Sequence, residues 1–262
     1  YVEFEPFNRF RISAGRTHLP LGYYSTAFHH GTLFQLTTHR PRLLRFEDDD
    51  GILPAHSVGL GISYAQNVTA GLQLDWTLSI GNGRGAESKE VLTNYDLNDF
   101  KSIVGRCGLE LDSIPGLETG LSFFWDRISS ASRGPNTLSE DYDEMIAGLY
   151  IAYRDYPWDV ILEAYWLQHT GVTTGTHRAI FGGFLQIGYE IIDRLVPYTR
   201  FEFVQSGSNF EYFENNAAAN KYSEFVAGIR YRLASTAVIK LEYELDIVSK
   251  KSTGLLQAAF GI

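Results

Sequence analysis

The chain's 262 residues leave room for one large β domain or two ordinary ones, and a formal net charge of −9 excludes a nucleic-acid binder, whose phosphate contacts need a basic face. Hydrophobic residues at 44% against charged ones at 20% exclude a disordered chain, while 16 Tyr, 17 Phe and 25 Gly favour pleated sheet over long helices. One cysteine, Cys107, permits no internal disulfide, and no run approaches the roughly 18 apolar residues of a spanning helix.

Tyr1 opens directly into strand-like sequence with no secretory leader ahead of it, as expected of a mature exported form. The first strand with clear alternation is Phe10-Ile12-Ala14, followed by the longest connection, residues 17–55. From residue 56 onward one pattern repeats: about ten residues of strict apolar–polar alternation, then a break. The clearest case is Leu72, Leu74, Trp76, Leu78 and Ile80, interleaved with Gln73, Asp75, Thr77 and Ser79. A period of two means a strand with two chemically different faces.

In chain order the strands begin at Val58, Leu72, Ile103, Leu117, Met145, Val160, Ala179, Pro197, Phe225, Ala237 and Leu256, which with Phe10 makes about twelve. Short turns near 66–70, 112–116, 154–157, 191–195 and 233–236 alternate with polar loops near 82–98, 128–142, 169–176, 206–221 and 248–253. An even count with short turns at one end and long loops at the other is the layout of a transmembrane antiparallel up-and-down β-barrel, with short periplasmic turns, long extracellular loops and both termini in the periplasm. The expected fold is therefore all-β, one domain over 1–262.

Alternation does not say which face points inward; three features do. The apolar-face positions carry no charge, and Trp76, Trp125, Trp158 and Trp166 share that face's parity, as a lipid-facing surface with aromatic belts requires. The opposite face mixes Gly59, Gly61, Gly108, Gly120 and Gly148 with Tyr150, Tyr165, Tyr198 and charges, which suits a crowded lumen better than open water. The strands run about nine to twelve residues, enough to cross a bilayer at a tilt.

The end of the chain, LLQAAFGI, resembles the closing strand of outer-membrane proteins, with an aromatic near the terminus and apolar residues at alternate positions. EFVAGIRYRLASTAVIKLEYE (224–244) resembles the penultimate hairpin of porin-like families, and AGRTHLPLGYY (14–24) the end of an early strand in sugar- and phosphate-type porins. The resemblance is generic and implies a Gram-negative outer-membrane β-barrel of porin-like class, without naming a substrate.

Inward parity places two groups of charge in the lumen. Arg200, Glu202, Arg230, Arg232, Lys240 and Glu242 sit on three consecutive strands with Glu224 and Glu244; Asp75, Arg106, Glu110, Glu118 and Asp126 form a second, mainly acidic group. Rings of charge in a narrow pore set which ions pass, and cross-strand ion pairs hold a wall in shape; residue types and spacing leave both open. Segment 17–55 is too apolar to float in water and is expected to fold inward as a constriction, with Phe28, Leu33 and Phe34 anchored on Tyr150 and Tyr198, and His29 and His30 at the mouth, where protonation near pH 6 would alter gating; packing on the rim or against a partner is the alternative. Ser25 is the expected N-cap of a short helix there.

Seven histidines gather towards one end, but no tight ligand spacing accompanies them, so no metal and no cofactor is expected. The acidic runs at 47–50 and 140–144 read as solvated loop tips, since DDDG lacks the spacing of a calcium loop. Twelve-stranded outer-membrane phospholipases use a His–Ser pair; His56 and Ser57 are adjacent and point to opposite faces, so no enzyme is expected. The reading is a bacterial outer-membrane channel for small polar solutes or ions. Its partners would be outer-membrane lipid and lipopolysaccharide, with an envelope protein or a second copy beside it. A non-conducting barrel that anchors or seals an envelope complex is the alternative, and an outer-membrane hydrolase a more distant one.

Overall fold

The computed structural model describes residues 1–28, 32–46, 49–85, 87–89, 100–130, 138–207, 210–214 and 216–261. Thirteen strands form one antiparallel sheet in which every strand pairs with its sequence neighbours. They are β1 (Val2–Phe7), β2 (Phe10–His18), β3 (His56–Thr69), β4 (Leu72–Gly81), β5 (Ser102–Leu111), β6 (Leu117–Ile128), β7 (Tyr142–Asp155), β8 (Trp158–Gly171), β9 (His177–Tyr189), β10 (Leu195–Ser206), β11 (Tyr222–Ala234), β12 (Ala237–Asp246) and β13 (Lys251–Phe260).

The count corrects the expected twelve. The additional strand is β1, which pairs with β2 through Val2–Ala14 and Phe4–Ile12. Six residues with a proline at position 6 fall short of a spanning pattern, and proline confines a strand to a sheet edge, which is where β1 lies. β1 also carries Tyr1 to the long-loop end, opposite to the end expected for it. With thirteen strands the two edges run in the same direction, and among the described residues β13 does not pair with β1.

The faces divide as the alternation requires. On β7, Met145, Leu149 and Ile151 are exposed, while Glu144, Ile146, Gly148 and Tyr150 between them are buried. Leu121, Leu162, Leu185, Phe201, Phe225 and Leu241 continue the exposed apolar face around the sheet. These large side chains stay out of the core because the other face is already filled, and together they form an exposed apolar surface of the kind that marks an interaction with a membrane or a protein.

What fills the concave face is the chain between β2 and β3. Leu19, Leu21, Tyr24, Phe28, Leu36, Leu43, Leu44, Ile52 and Leu53 are each at most 4% exposed, and burying each such side chain is worth about 1.5–3 kcal/mol. They pack with inward Phe124, Ile146, Ile161, Leu167, Ile180 and Val204 in one cluster, while Leu36 joins Val196, Tyr198 and Val226 in another. A segment that reaches β6 through Ser122 and β13 through Gln257 must have the sheet curled around it. One helical turn, α1 (Tyr24–Ala27), forms inside; Ser25 lies within it, not at its cap, and no side chain caps it.

Candidate functional site: an occupied interior

The inserted segment enters at Gly22, whose φ of +71° and lack of a side chain are both needed: a Cβ there would stand 1.9 Å from the Tyr165 hydroxyl. Beyond this turn the backbone amides of Tyr23 and Tyr24 donate to the buried carboxylate of Glu163, at 3.0 and 2.5 Å, and that carboxylate also accepts from the Tyr165 hydroxyl. The Tyr24 hydroxyl donates to Gln35 at 2.9 Å, and burial pushes this phenol up to about 12, so it remains a donor at neutral pH.

Further along, β10–β12 grip residues 32–42. Lys240 Nζ reaches the carbonyls of Thr32 (2.5 Å) and Thr37 (2.8 Å), and Arg230 Nη2 that of Leu33 (2.9 Å). Arg200 Nη1 donates to Thr37 Oγ1 at 2.7 Å and to the His39 carbonyl at 2.9 Å. Glu242 accepts from the Thr38 amide at 3.0 Å, from the Thr38 hydroxyl and from the Tyr198 hydroxyl at 2.8 Å; Glu202 accepts from the Arg42 amide at 3.0 Å. Buried backbone N–H and C=O groups must find partners, and here charged wall residues supply them.

This geometry refines the expectation for the first charged group. Arg200, Glu202, Lys240 and Glu242 are all at most 2% exposed and bind the inserted segment. Arg232 stands apart at the short-turn end, within 4 Å of Glu190 and Asp193. Of the expected anchors, Phe28 is buried beneath the Arg154 guanidinium at 4.8 Å, Leu33 is half-buried, and Phe34 is 63% exposed and anchors nothing. Tyr150 receives Tyr23 instead (ring centroids 5.9 Å apart), and Tyr198 receives Leu36. His29 and His30 lie outside the described residues.

The second group is arranged differently. Arg106 Nη1 donates to Asp75 at 2.5 Å and Nη2 to Glu118 and to the Tyr150 hydroxyl (2.7 Å), the hydroxyl in turn donating to Glu118 at 2.7 Å. These side chains remain partly open, Asp75 at 23% and Glu118 at 17%, and Glu110 is exposed. Glu110 and Glu118 line a cavity of about 590 Å³ at the short-turn end, with Tyr23, Asp112 and Arg154. Above them the inward residues of β2–β4 are short: Ser13, Thr17, Ser63, Thr77 and Ser79 are half-buried, alternating with glycines. Side chains of β6–β8 and β10–β13 hydrogen-bond the inserted segment, and Phe46 of the segment stacks on His56 of β3 with ring centroids 5.6 Å apart.

Asp126 belongs to a third arrangement that sequence reasoning missed. It accepts from the Arg84 amide at 2.6 Å, while the Arg84 guanidinium donates to Glu144 at 2.7 Å and to the Ile52 carbonyl, with the rings of Tyr212 and Phe213 against it. His169 completes the cluster at 2.9 Å from Glu144. The lid so formed ties three connections together at the long-loop end. The acidic run beside it is structural as well: Glu140 accepts from Thr173 and Thr174, which holds its carboxyl below the usual range, and Asp143 pairs with Arg127 at 2.6 Å. Inward parity alone would have found Glu163; nothing periodic marks Arg84.

No family model and no curated protein matches the chain. Solved structures do, all by fold. An anion-selective porin from Comamonas acidovorans matches at TM-score 0.54 and 14% identity, over 96% of this chain and 70% of that one. The trimer form of OmpT, an outer membrane protein of Vibrio cholerae, matches at 0.56 and 12% over 97% and 73%. The outer membrane channel DcaP of Acinetobacter baumannii matches at 0.56 and 14% over 97% and 72%. Identities this low carry the architecture alone, and that architecture, an antiparallel up-and-down sheet, is the one these outer-membrane porins and channels share with the chain.

Proposed function

We propose that the protein is an outer-membrane channel for small polar solutes or ions, its sheet closed into a barrel in the membrane and its bore set by segment 17–55. The observation that carries this reading is the one-sided docking of that segment. Its apolar side chains and hydrogen bonds lie mainly against β6–β13, and the hydroxyl- and glycine-lined wall of β2–β4 stays half-exposed above the 590 Å³ vestibule. The path so defined passes Asp75, Arg106, Glu110 and Glu118, three carboxylates against one guanidinium, so it favours cations or neutral solutes. Lipid and lipopolysaccharide surround the exposed apolar face, and a trimer like that named for OmpT is a natural assembly for it. The reading is of a conduit and not an enzyme, supported by the Ser57 hydroxyl donating to the Asn82 carbonyl at 2.9 Å.

Planar-bilayer recording tests this. Small, cation-leaning unitary currents are expected from the purified chain, with reversal potentials read across a salt gradient. Deleting residues 25–38 should raise conductance several-fold, and a Ser63→Cys variant in a Cys107→Ala background should be blocked by charged thiol reagents. A sealed barrel that anchors an envelope complex is the second reading, favoured by the near-complete burial of Arg200, Lys240 and Glu242. Absence of current in the intact chain, with current restored by the deletion, would select it.

A further inference from the structure

Where the inserted segment meets β12, two carboxylates lie without a Lys or Arg at ion-pair distance among the described residues. Glu242 (2% exposed) and Glu244 (13% side-chain exposure) point inward from the same strand, and among the described residues no Lys or Arg pairs with either. Lys240, two positions before Glu242, spends its ammonium group on the Thr32 and Thr37 carbonyls, and Arg200 turns to Thr37 and His39. Arg200 and Lys240 act on them only from beyond ion-pair distance, and the basic group in direct contact is His39, whose Nδ1 stands 2.9 Å from Glu244 Oε1. A buried carboxylate without an ion-paired cation is costly, and here two carboxylates share one half-exposed imidazole.

We propose that His39, Glu242 and Glu244 form a site for one divalent transition-metal cation, which ties the inserted segment to the sheet. One ligand atom from each residue lies within 4.8 Å of the other two. Ions of the zinc class hold nitrogen and oxygen ligands at about 2.0–2.2 Å, so their ligand atoms stand about 3–4 Å apart, within one side-chain rotation of this arrangement. Glu242 is already oriented: the Thr38 amide and the Tyr198 hydroxyl hold Oε2, and Oε1, bonded to the Thr38 hydroxyl, keeps a lone pair. Such outer hydrogen bonds are what fix a ligating carboxylate in place. His39 is 46% exposed, so an ion arrives without the segment unfolding. Imidazole with two carboxylates selects zinc, cobalt, nickel or manganese over calcium and magnesium. The site does not depend on conduction; a sealed barrel would hold it equally well.

The full chain in detergent, stripped with chelator, is titrated with Co²⁺ and followed by visible absorption, then back-titrated with Zn²⁺. One Co²⁺ per chain, displaced by Zn²⁺, is expected. His39→Ala and the near-isosteric Glu244→Gln should each weaken binding at least tenfold, while His177→Ala, at the exposed tip of the β8–β9 hairpin, should bind as the parent does. Heat-modifiable gel mobility shows which variants are folded, and Glu244→Gln carries the test if His39→Ala is not. The proposal is overturned if no Co²⁺ spectrum develops, leaving a His39–Glu244 ion pair only. Unchanged affinity in folded Glu244→Gln, or displacement of Co²⁺ by equimolar Mg²⁺, overturns it as well.

Discussion

Replacing Leu185 with Arg is expected to destabilise the folded protein in a bilayer by about 2–4 kcal/mol, the cost of a cation on the lipid face near the midplane. Leu185 lies at the centre of β9, paired with Leu162 on one side and Phe201 on the other, and 39% of it is exposed among other exposed apolar side chains. Its neighbour Gln186 points inward and is fully buried. The position therefore separates the two solvents sharply. If the surrounding medium were water, an arginine here would be neutral or would improve solubility. Equilibrium unfolding by denaturant in lipid vesicles measures the difference. A change below about 0.5 kcal/mol, the usual range for a wet surface, would remove the lipid-facing assignment of this surface.

Replacing Arg200 with Met should cost about 3–5 kcal/mol, because it breaks a buried charge arrangement from one side. Arg200 is 0% exposed, stands 3.7 Å from Glu202 and holds both the Thr37 hydroxyl and the His39 carbonyl. Without it, Glu202 faces Glu224 across the β10–β11 ladder as one buried carboxylate opposite another. The inserted segment should then loosen first, since its own hydrogen bonds are lost while the strand ladders remain intact. Limited trypsin digestion reads this directly through cleavage after Arg42 and Arg45. A double variant, Arg200→Met with Glu202→Met, should recover more than half of the loss, since replacing a whole buried pair by apolar groups is often neutral. Equal losses in the single and double variants would show that the hydrogen bonds to the segment, and not the charge, dominate.

The thirteen-stranded sheet was legible from Phe10 onward because its cause is local. In Leu72–Ile80 or Met145–Tyr153 a period of two is enough to form a strand with one apolar face, and the absence of charge on that face points it towards lipid. The residues after Tyr1 read as strand-like but are not counted among the spanning strands, because six residues containing Pro6 become a strand only when β2 offers its free edge. That segment 17–55 must pack against something also followed from composition, since so many large apolar side chains do not stay in water; that it packs inside, and not on the rim or against a partner, did not. What tertiary structure alone decided is which wall receives it. Parity places Arg200, Lys240 and Glu242 on the inner face but is silent about what they touch. Their partners, Thr37, Thr32 and Thr38, lie from 163 to 208 residues away in sequence and are brought into reach only by the curl of the sheet. The same holds for Phe34, as apolar as Phe28 yet left exposed, and for His39, which meets Glu244 across 205 residues. Periodicity assigns a side chain to a face; the curvature of a closed-packed interior selects its neighbours.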